Sequence, residues 1–164
     1  MRRIESDDNS TIRTYFEEAA NEAEKATCFR AKCGSVIVSV SGVIIGRGFN
    51  APPFGDESQR RCEAEFDLEK KPKYDKTCCV HAEWNAVLDA LGQTSHKEVA
   101  GSRLYFMRVD TEGHFTDAGE PYCTVCSRIA MQAGVAEFAL WNDSGVDVYD
   151  LPEYNALSYA YHQS

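Results

Sequence analysis

Apolar residues recur every three or four positions near the start of the chain and then form short β-branched runs. Between Thr11 and Ala26 the apolar positions keep helical spacing, while Glu, Arg and Lys occupy the others. This pattern predicts an amphipathic helix. Ser35–Val40 and Val43–Phe49 are rich in β-branched residues and flank the dipeptide Ser41-Gly42. They predict two strands joined by a tight turn.

A segment of different character follows this hairpin. Ala51–Lys76 is rich in proline, glycine and charged residues. Its composition predicts a long loop, with a helical piece around Cys62–Leu68. Because loops of this length are uncommon inside compact domains, we expect this one to serve function or to move.

Helices and strands alternate in the second half of the chain. The pattern predicts two strands and three helices, namely helix His81–Leu91 ended by Gly92, strand Leu104–Met107, helix Cys123–Ala133 ended by Gly134, strand Glu137–Trp141 and a last helix from Pro152. A strand, a helix and a strand in succession require a parallel pair with a right-handed crossover. We therefore predict an α/β fold, a three-layer α/β/α arrangement with a mixed central sheet of about five strands.

Composition narrows the possible functions. The chain has 164 residues, 43% of them hydrophobic, which predicts a single domain over residues 1–164. The formal charge of −9 weighs against a polynucleotide partner, because nucleic-acid binders usually present a basic surface. Its apolar runs are too short to span a membrane, and no apolar stretch follows the basic N-terminal residues as in a secretory signal. We therefore expect a cytoplasmic protein.

Cysteine is frequent, with seven residues in the chain. An odd number without a signal peptide argues against a disulfide framework. Metal binding is the better interpretation of some of these cysteines.

Two short segments at predicted helix starts carry the candidate chemistry. Cys123 and Cys126 are three residues apart, so one helix face can present both sulfurs to one metal ion. His81 completes a three-ligand set, the pattern of catalytic zinc sites, in which zinc activates a water molecule at the open position. Glu83 is the candidate for moving protons, and it can share the site with His81 only if His81 lies at the extreme end of its helix. Alone, Cys-x-x-Cys would also suit a redox pair or half of a structural site.

Together these segments resemble the signature of the cytidine deaminase superfamily, His-x-Glu followed by Pro-Cys-x-x-Cys. Within the superfamily, the chain is most similar to the deoxycytidylate (dCMP) deaminases. The similarity includes Thr27–Val38, Ile45–Pro52 with its Gly-aromatic-Asn ending, and His81–Leu88. It covers the core from about Ala26 to Trp141. The resemblance implies one catalytic Zn²⁺ and hydrolytic deamination at C4 of a cytosine nucleotide, most simply dCMP to dUMP plus ammonia.

The resemblance also implies substrate contacts at three matched positions. Asn50 would hydrogen-bond the sugar or the base, the backbone of Ala82 would fix the base carbonyl, and Arg30 would contact the phosphate. The chain departs from the family pattern at Tyr122, which separates the proline from the first cysteine, and in the long segment Arg108–Glu120. We expect the metal site to persist and the pocket to differ.

Several alternatives stay open at this point. Cys62, Cys78 and Cys79 could join His96 or His114 in a second, structural zinc site, although small buried thiols are the favoured interpretation. The substrate could be a nucleoside, a modified pyrimidine or a guanine-like base, and a non-catalytic zinc-stabilised interaction module is a further alternative. The resemblance implies a small-molecule nucleotide or nucleobase as partner, and a homo-oligomer.

Overall fold

A computed structural model describes residues 1–4, 10–61 and 79–161. Its strands are β1 (Arg2–Ile4), β2 (Lys32–Val38), β3 (Ile44–Phe49), β4 (Arg103–Val109), β5 (Phe115–Thr116), β6 (Glu137–Asn142) and β7 (Gly145–Asp150). Its α-helices are α1 (Ser10–Glu24), α2 (Ala82–Gln93), α3 (His96–Val99), α4 (Thr124–Ala133) and α5 (Leu151–Ala160). Two short 3-10 turns, Pro53–Gly55 and Glu57–Gln59, follow β3.

The described strands form one mixed sheet in the order β1-β7-β6-β4-β2-β3, with β5 paired to β4. β4 and β6 run parallel, as the crossover argument predicted, and the other pairs are antiparallel. The sheet has seven strands rather than about five. β1 and β5 are too short to show a periodic pattern, and β7 lies between strand Glu137–Trp141 and the last helix, where the sequence analysis predicted no strand. The predicted fold class is confirmed.

Helices cover both faces of this sheet. On one face α1 packs against alternate residues of the strands, and the buried cluster there includes Phe16, Val36, Tyr105, Met107 and Val148. On the other face α2, α4 and α5 pack over the remaining residues, and this cluster includes Ile37, Ala86, Leu104, Phe138 and Tyr154. The three-layer arrangement therefore follows from the two-residue alternation of side chains along each strand.

Two glycines of β3 let α2 approach the sheet closely. A Cβ at Gly48 would lie 2.3 Å from the Ala86 nitrogen and 2.4 Å from the Ala82 oxygen, and one at Gly46 would lie 2.4 Å from the Ala86 oxygen. Such distances are far below van der Waals contact, so only glycine fits. The Asn85 Nδ2 adds a hydrogen bond of 2.7 Å to the Phe49 carbonyl. These contacts place the start of α2 against the end of β3.

The helix ends follow the predictions with one correction. Gly134 ends α4 with φ of 93°, and its N–H donates to the Ala130 and Met131 carbonyls, as predicted. α2 instead continues through Gly92 to Gln93. A glycine costs a helix only about 1 kcal/mol, so a single glycine does not by itself end one.

The proposed helical piece at Cys62–Leu68 lies outside the described residues. No described helix combines the length and the apolar character that crossing a bilayer requires.

Candidate zinc site

Helices α2 and α4 begin close together on the same face of the sheet. His81 is the N-cap of α2 with an extended backbone, and Cys123 is the N-cap of α4. An isolated bridge fixes the chain just before His81, with the Val80 N–H donating to the Ala51 carbonyl at 2.8 Å. The Cys123 sulfur accepts the N–H of Cys126 at 3.2 Å. The capping interaction of α4 therefore also orients one of the two sulfurs.

Three ligand atoms meet where these helices begin. His81 Nδ1 lies 3.1 Å from Cys126 Sγ and 3.5 Å from Cys123 Sγ, and the two sulfurs are 2.7 Å apart. Nitrogen and sulfur are donors that zinc prefers, and a set of three protein ligands is the pattern of a catalytic site. The donor set that the sequence predicted thus fits one Zn²⁺ ion.

None of the other described cysteines joins this cluster. Cys79 lies in the wall of the adjacent cavity, and Cys62 and Cys78 lie outside the described residues. Within residues 1–4, 10–61 and 79–161, His114 groups with two exposed carboxylates rather than with a thiol, and His96 joins no ligand group. The described residues therefore hold one cluster with zinc-type donors.

The two thiols of the cluster differ in acidity. The hydrogen bond with the Cys126 thiol lowers the pKa of Cys123 to about 5, and His81 acts in the same direction against the effect of burial. Burial raises the pKa of Cys126. Cys123 is therefore the more acidic of the two thiols. Binding of a divalent cation would displace any thiol proton, because the thiolate is the ligand form.

Glu83 lies beside the ligands and is only 4% exposed. Burial raises the pKa of its carboxyl group, against the influence of His81, so the group holds a proton more readily than an exposed glutamate. α2 begins at Ala82, and His81 therefore lies just outside the helix. Because His81 lies at the extreme end of the helix, its side chain and that of Glu83 can face one site.

A cavity of about 150 Å³ opens beside the cluster, and the three residues predicted to contact substrate line it. Ala82 is buried at the start of α2, whereas Arg30 is exposed. The Asn50 side chain also holds the backbone, because its Nδ2 donates to the Ala31 carbonyl at 2.9 Å and its Oδ1 accepts the Cys33 N–H at 2.8 Å. Asn50 therefore also fixes the wall of the cavity at the start of β2.

Other residues also line this cavity, among them Cys33, Arg61, Phe106 and Arg108. Two of them come from β4, where Leu104, Phe106 and Arg108 share the face toward α2. Strand alternation would have found Arg108 if the predicted strand had continued beyond Met107.

Tyr122 is the extra residue between Pro121 and Cys123, where the chain departs from the family pattern. It lies in the wall of the cavity, and its ring centroid is 5.9 Å from that of Tyr161. The ligand atoms of His81, Cys123 and Cys126 still meet. The extra residue therefore adds a side chain to the cavity wall and leaves the ligand cluster intact.

Comparison with protein families gives a match over residues 9–141 to the cytidine and deoxycytidylate deaminase zinc-binding region. The chain belongs to this family. It is a zinc-dependent deaminase by family and by donor set, which confirms the resemblance that the motifs indicated. A comparison with curated protein sequences finds no match.

Solved structures with the same fold include both branches of the family. The dCMP deaminase of cyanophage S-TIM5, in its apo form, is 23% identical, with a TM-score of 0.53 over 79% of this chain and 82% of that one. The same phage enzyme in complex with dCMP and dUMP gives a TM-score of 0.54 at 22% identity, over 79% of this chain and 80% of that one. The cytidine deaminase of Burkholderia pseudomallei is 19% identical, with a TM-score of 0.57 over 87% and 94% of the two chains. At these identities the similarity concerns the fold.

Proposed function

We propose that the protein catalyses the hydrolytic deamination of a cytosine nucleotide, most simply dCMP to dUMP plus ammonia. The main support is the position of Glu83, which is buried beside the His81–Cys123–Cys126 cluster and in the wall of a cavity. A purely structural zinc site needs no buried carboxyl group at this place. The domain that performs this reaction would be residues 1–164.

The residues around the cluster have separate tasks in this reaction. Bound zinc would supply an activated water molecule for attack at the ring carbon that carries the amino group. The Glu83 carboxylate would take a proton from the water and deliver it to the departing nitrogen, which leaves as ammonia. The backbone of Ala82 and the side chain of Asn50 would hold the base, and both line the cavity.

Support for a nucleotide comes from two arginines in the cavity wall. Arg30 and Arg61 are both exposed, which suits a hydrated phosphate group at the cavity mouth. The cyanophage enzyme of the same fold has been solved with dCMP and dUMP. We therefore assign the phosphate contact to Arg30, with Arg61 as a second cation.

We further propose a homo-oligomer that uses the outer faces of α2 and α4. Leu88 and Leu91 on α2 and Met131 on α4 are exposed, and the two helices pack side by side. Association of a second copy would remove this apolar surface from water. A cytoplasmic location and the absence of a polynucleotide partner stay predictions.

The direct test is ammonia release by the zinc-loaded protein from dCMP, CMP, deoxycytidine, cytidine, cytosine, guanine and adenosine in parallel. We expect turnover of dCMP well above that of deoxycytidine. Activity on unphosphorylated compounds alone would refute the nucleotide assignment and keep the deaminase chemistry. If the zinc-loaded protein released ammonia from none of these compounds, the proposed function would be refuted.

A further inference from the structure

Arg108 is a half-buried cation that the proposed reaction has not yet used. It lies near the carboxyl end of β4, directly opposite Cys33 in β2, and its side chain lines the cavity that also contains Glu83. Its Nε atom is buried and has no hydrogen-bond partner in the described part of the chain. Because a buried charged donor without a partner is costly, a ligand in the cavity is a suitable partner for this atom.

The arginine near the other end of the same strand shows the contrast. Arg103 donates from Nε to Glu137 at 2.7 Å and from Nη1 to the Tyr105 hydroxyl at 3.1 Å. Its guanidinium is therefore satisfied by the protein itself. Among the described carboxylates, none forms such an ion pair with Arg108. Within the described part of the chain, one arginine of this strand therefore has a carboxylate partner and the other has none.

The groups beside Arg108 do not neutralise it. Its guanidinium lies next to the Cys33 thiol and the Tyr122 hydroxyl. Neither neighbour is a carboxylate. Among the described residues, the positive charge of Arg108 therefore has no ion-pair partner and faces the cavity that it lines.

We propose that Arg108 binds the ring carbonyl of the pyrimidine inside the cavity and so selects for a base with a hydrogen-bond acceptor there. Its planar fork of donors matches a carbonyl oxygen in the plane of the ring. A cavity of about 150 Å³ suits a base more closely than a hydrated phosphate, for which the exposed Arg30 and Arg61 are better placed. This inference rests on the proposed function and assigns one more substrate contact to the same site.

The test compares two product ligands that differ only in the phosphate. Binding of dUMP and of deoxyuridine to the zinc-loaded protein is measured by calorimetry for the wild type and for Arg108→Met. A hydrogen bond from a charged donor to the ring predicts that both affinities fall about tenfold to a hundredfold, and by the same factor. Arg103→Met is the matched control from the other end of β4, and its affinities should equal those of the wild type.

The outcomes separate the inference from the proposed function. If Arg108→Met loses affinity for dUMP alone, Arg108 binds the phosphate group and the inference is wrong. Unchanged affinity for both ligands would also overturn it, while wild-type ammonia release from dCMP would leave the proposed function standing. Should Arg108→Met fail to fold, Arg108→Lys keeps the charge and loses the planar fork, and an equal loss of affinity for both ligands is again expected. A wild-type protein that binds neither ligand and deaminates nothing would refute both.

Discussion

The two faces of β4 have opposite characters, although their residues alternate along one strand. Tyr105, Met107 and Val109 pack under α1 in an apolar cluster. Leu104 and Phe106 begin the other face in the same apolar way, but that face ends at Arg108 and at the cavity beside the zinc ligands. One face thus buries apolar area, which stabilises the fold. The other exposes polar and charged groups to a cavity, which in the proposed function would serve binding and catalysis.

The comparison also explains why the sulfur, carboxyl and guanidinium groups are found together. A buried carboxyl or an unpaired arginine lowers stability, so such groups are retained where they meet a ligand. Among the described residues, the α1 face is mostly apolar, and its buried carboxyl group, Glu22, is paired with Lys25. The site face can therefore tolerate a cavity.

The largest expected effect comes from Glu83→Gln on the site face. The amide keeps the size of the side chain and removes the group that moves protons, so kcat should fall on the order of 10²–10⁴-fold. Zinc content by metal analysis should stay at the wild-type value. Wild-type ammonia release by a zinc-loaded variant would contradict the role of Glu83.

On the other face, Phe16→Ala should lower stability instead of activity. The change in free energy should be of similar size. Phe16 is fully buried and packs edge-on against Tyr105 and Trp141, with ring centroids 5.2 Å and 5.5 Å apart. Its truncation should lower the free energy of unfolding by about 3–5 kcal/mol. Urea denaturation measures this loss. Below the melting temperature zinc content and kcat should hold, and a large fall in kcat would break the separation of the two faces.

Gly48→Ala, where β3 meets α2, should have a smaller effect, on stability and on zinc binding together. The added methyl group would lie 2.3 Å from the Ala86 nitrogen, so α2 must move and take His81 and Glu83 with it. We expect a stability loss of about 1–3 kcal/mol together with weaker zinc binding. Thermal denaturation and a competition assay with a zinc chelator measure the two effects.

Gly92→Ala is the matched control for that substitution. Gly92 lies near the other end of α2, and a Cβ there would meet open space. Alanine should raise stability by about 0.5–1 kcal/mol through its helix preference and leave zinc binding alone. If both glycine variants weakened zinc binding equally, the close contact at Gly48 would not be the cause.

The smallest effect is expected from Arg30→Ala at the cavity mouth. Loss of one exposed phosphate contact should lower kcat/KM for dCMP by about tenfold. The value for deoxycytidine should change much less, because this substrate has no phosphate. Steady-state kinetics with both substrates measure the ratio, and an equal fall for the two would remove the phosphate role of Arg30.

Much of the fold could be predicted from local patterns. The spacing of apolar residues located α1, α2, α4 and α5, and strand–helix–strand order required the parallel pair of β4 and β6. The sheet was underestimated because β1 and β5 are three and two residues long. Strands that short are defined by their pairing partners rather than by their own side chains, so no periodicity marks them.

The residues of the candidate site also fall into two groups, those that the sequence predicted and those that it did not. His81, Glu83, Cys123 and Cys126 were found because their spacing and their places at helix starts are visible in the chain. Cys33, Arg61 and Arg108 were not, since each is an ordinary residue in its local segment.

The sequence by itself determined the family, the zinc donor set and the helices that present it, because these depend on residue type and short spacing. Only the tertiary structure decided which further groups enter the cavity. Gly48 lets α2 approach β3, and the pairing of β2 with β4 places Cys33 opposite Arg108. Contacts between residues that are distant in the chain depend on the packing of whole elements, and local sequence does not encode that packing.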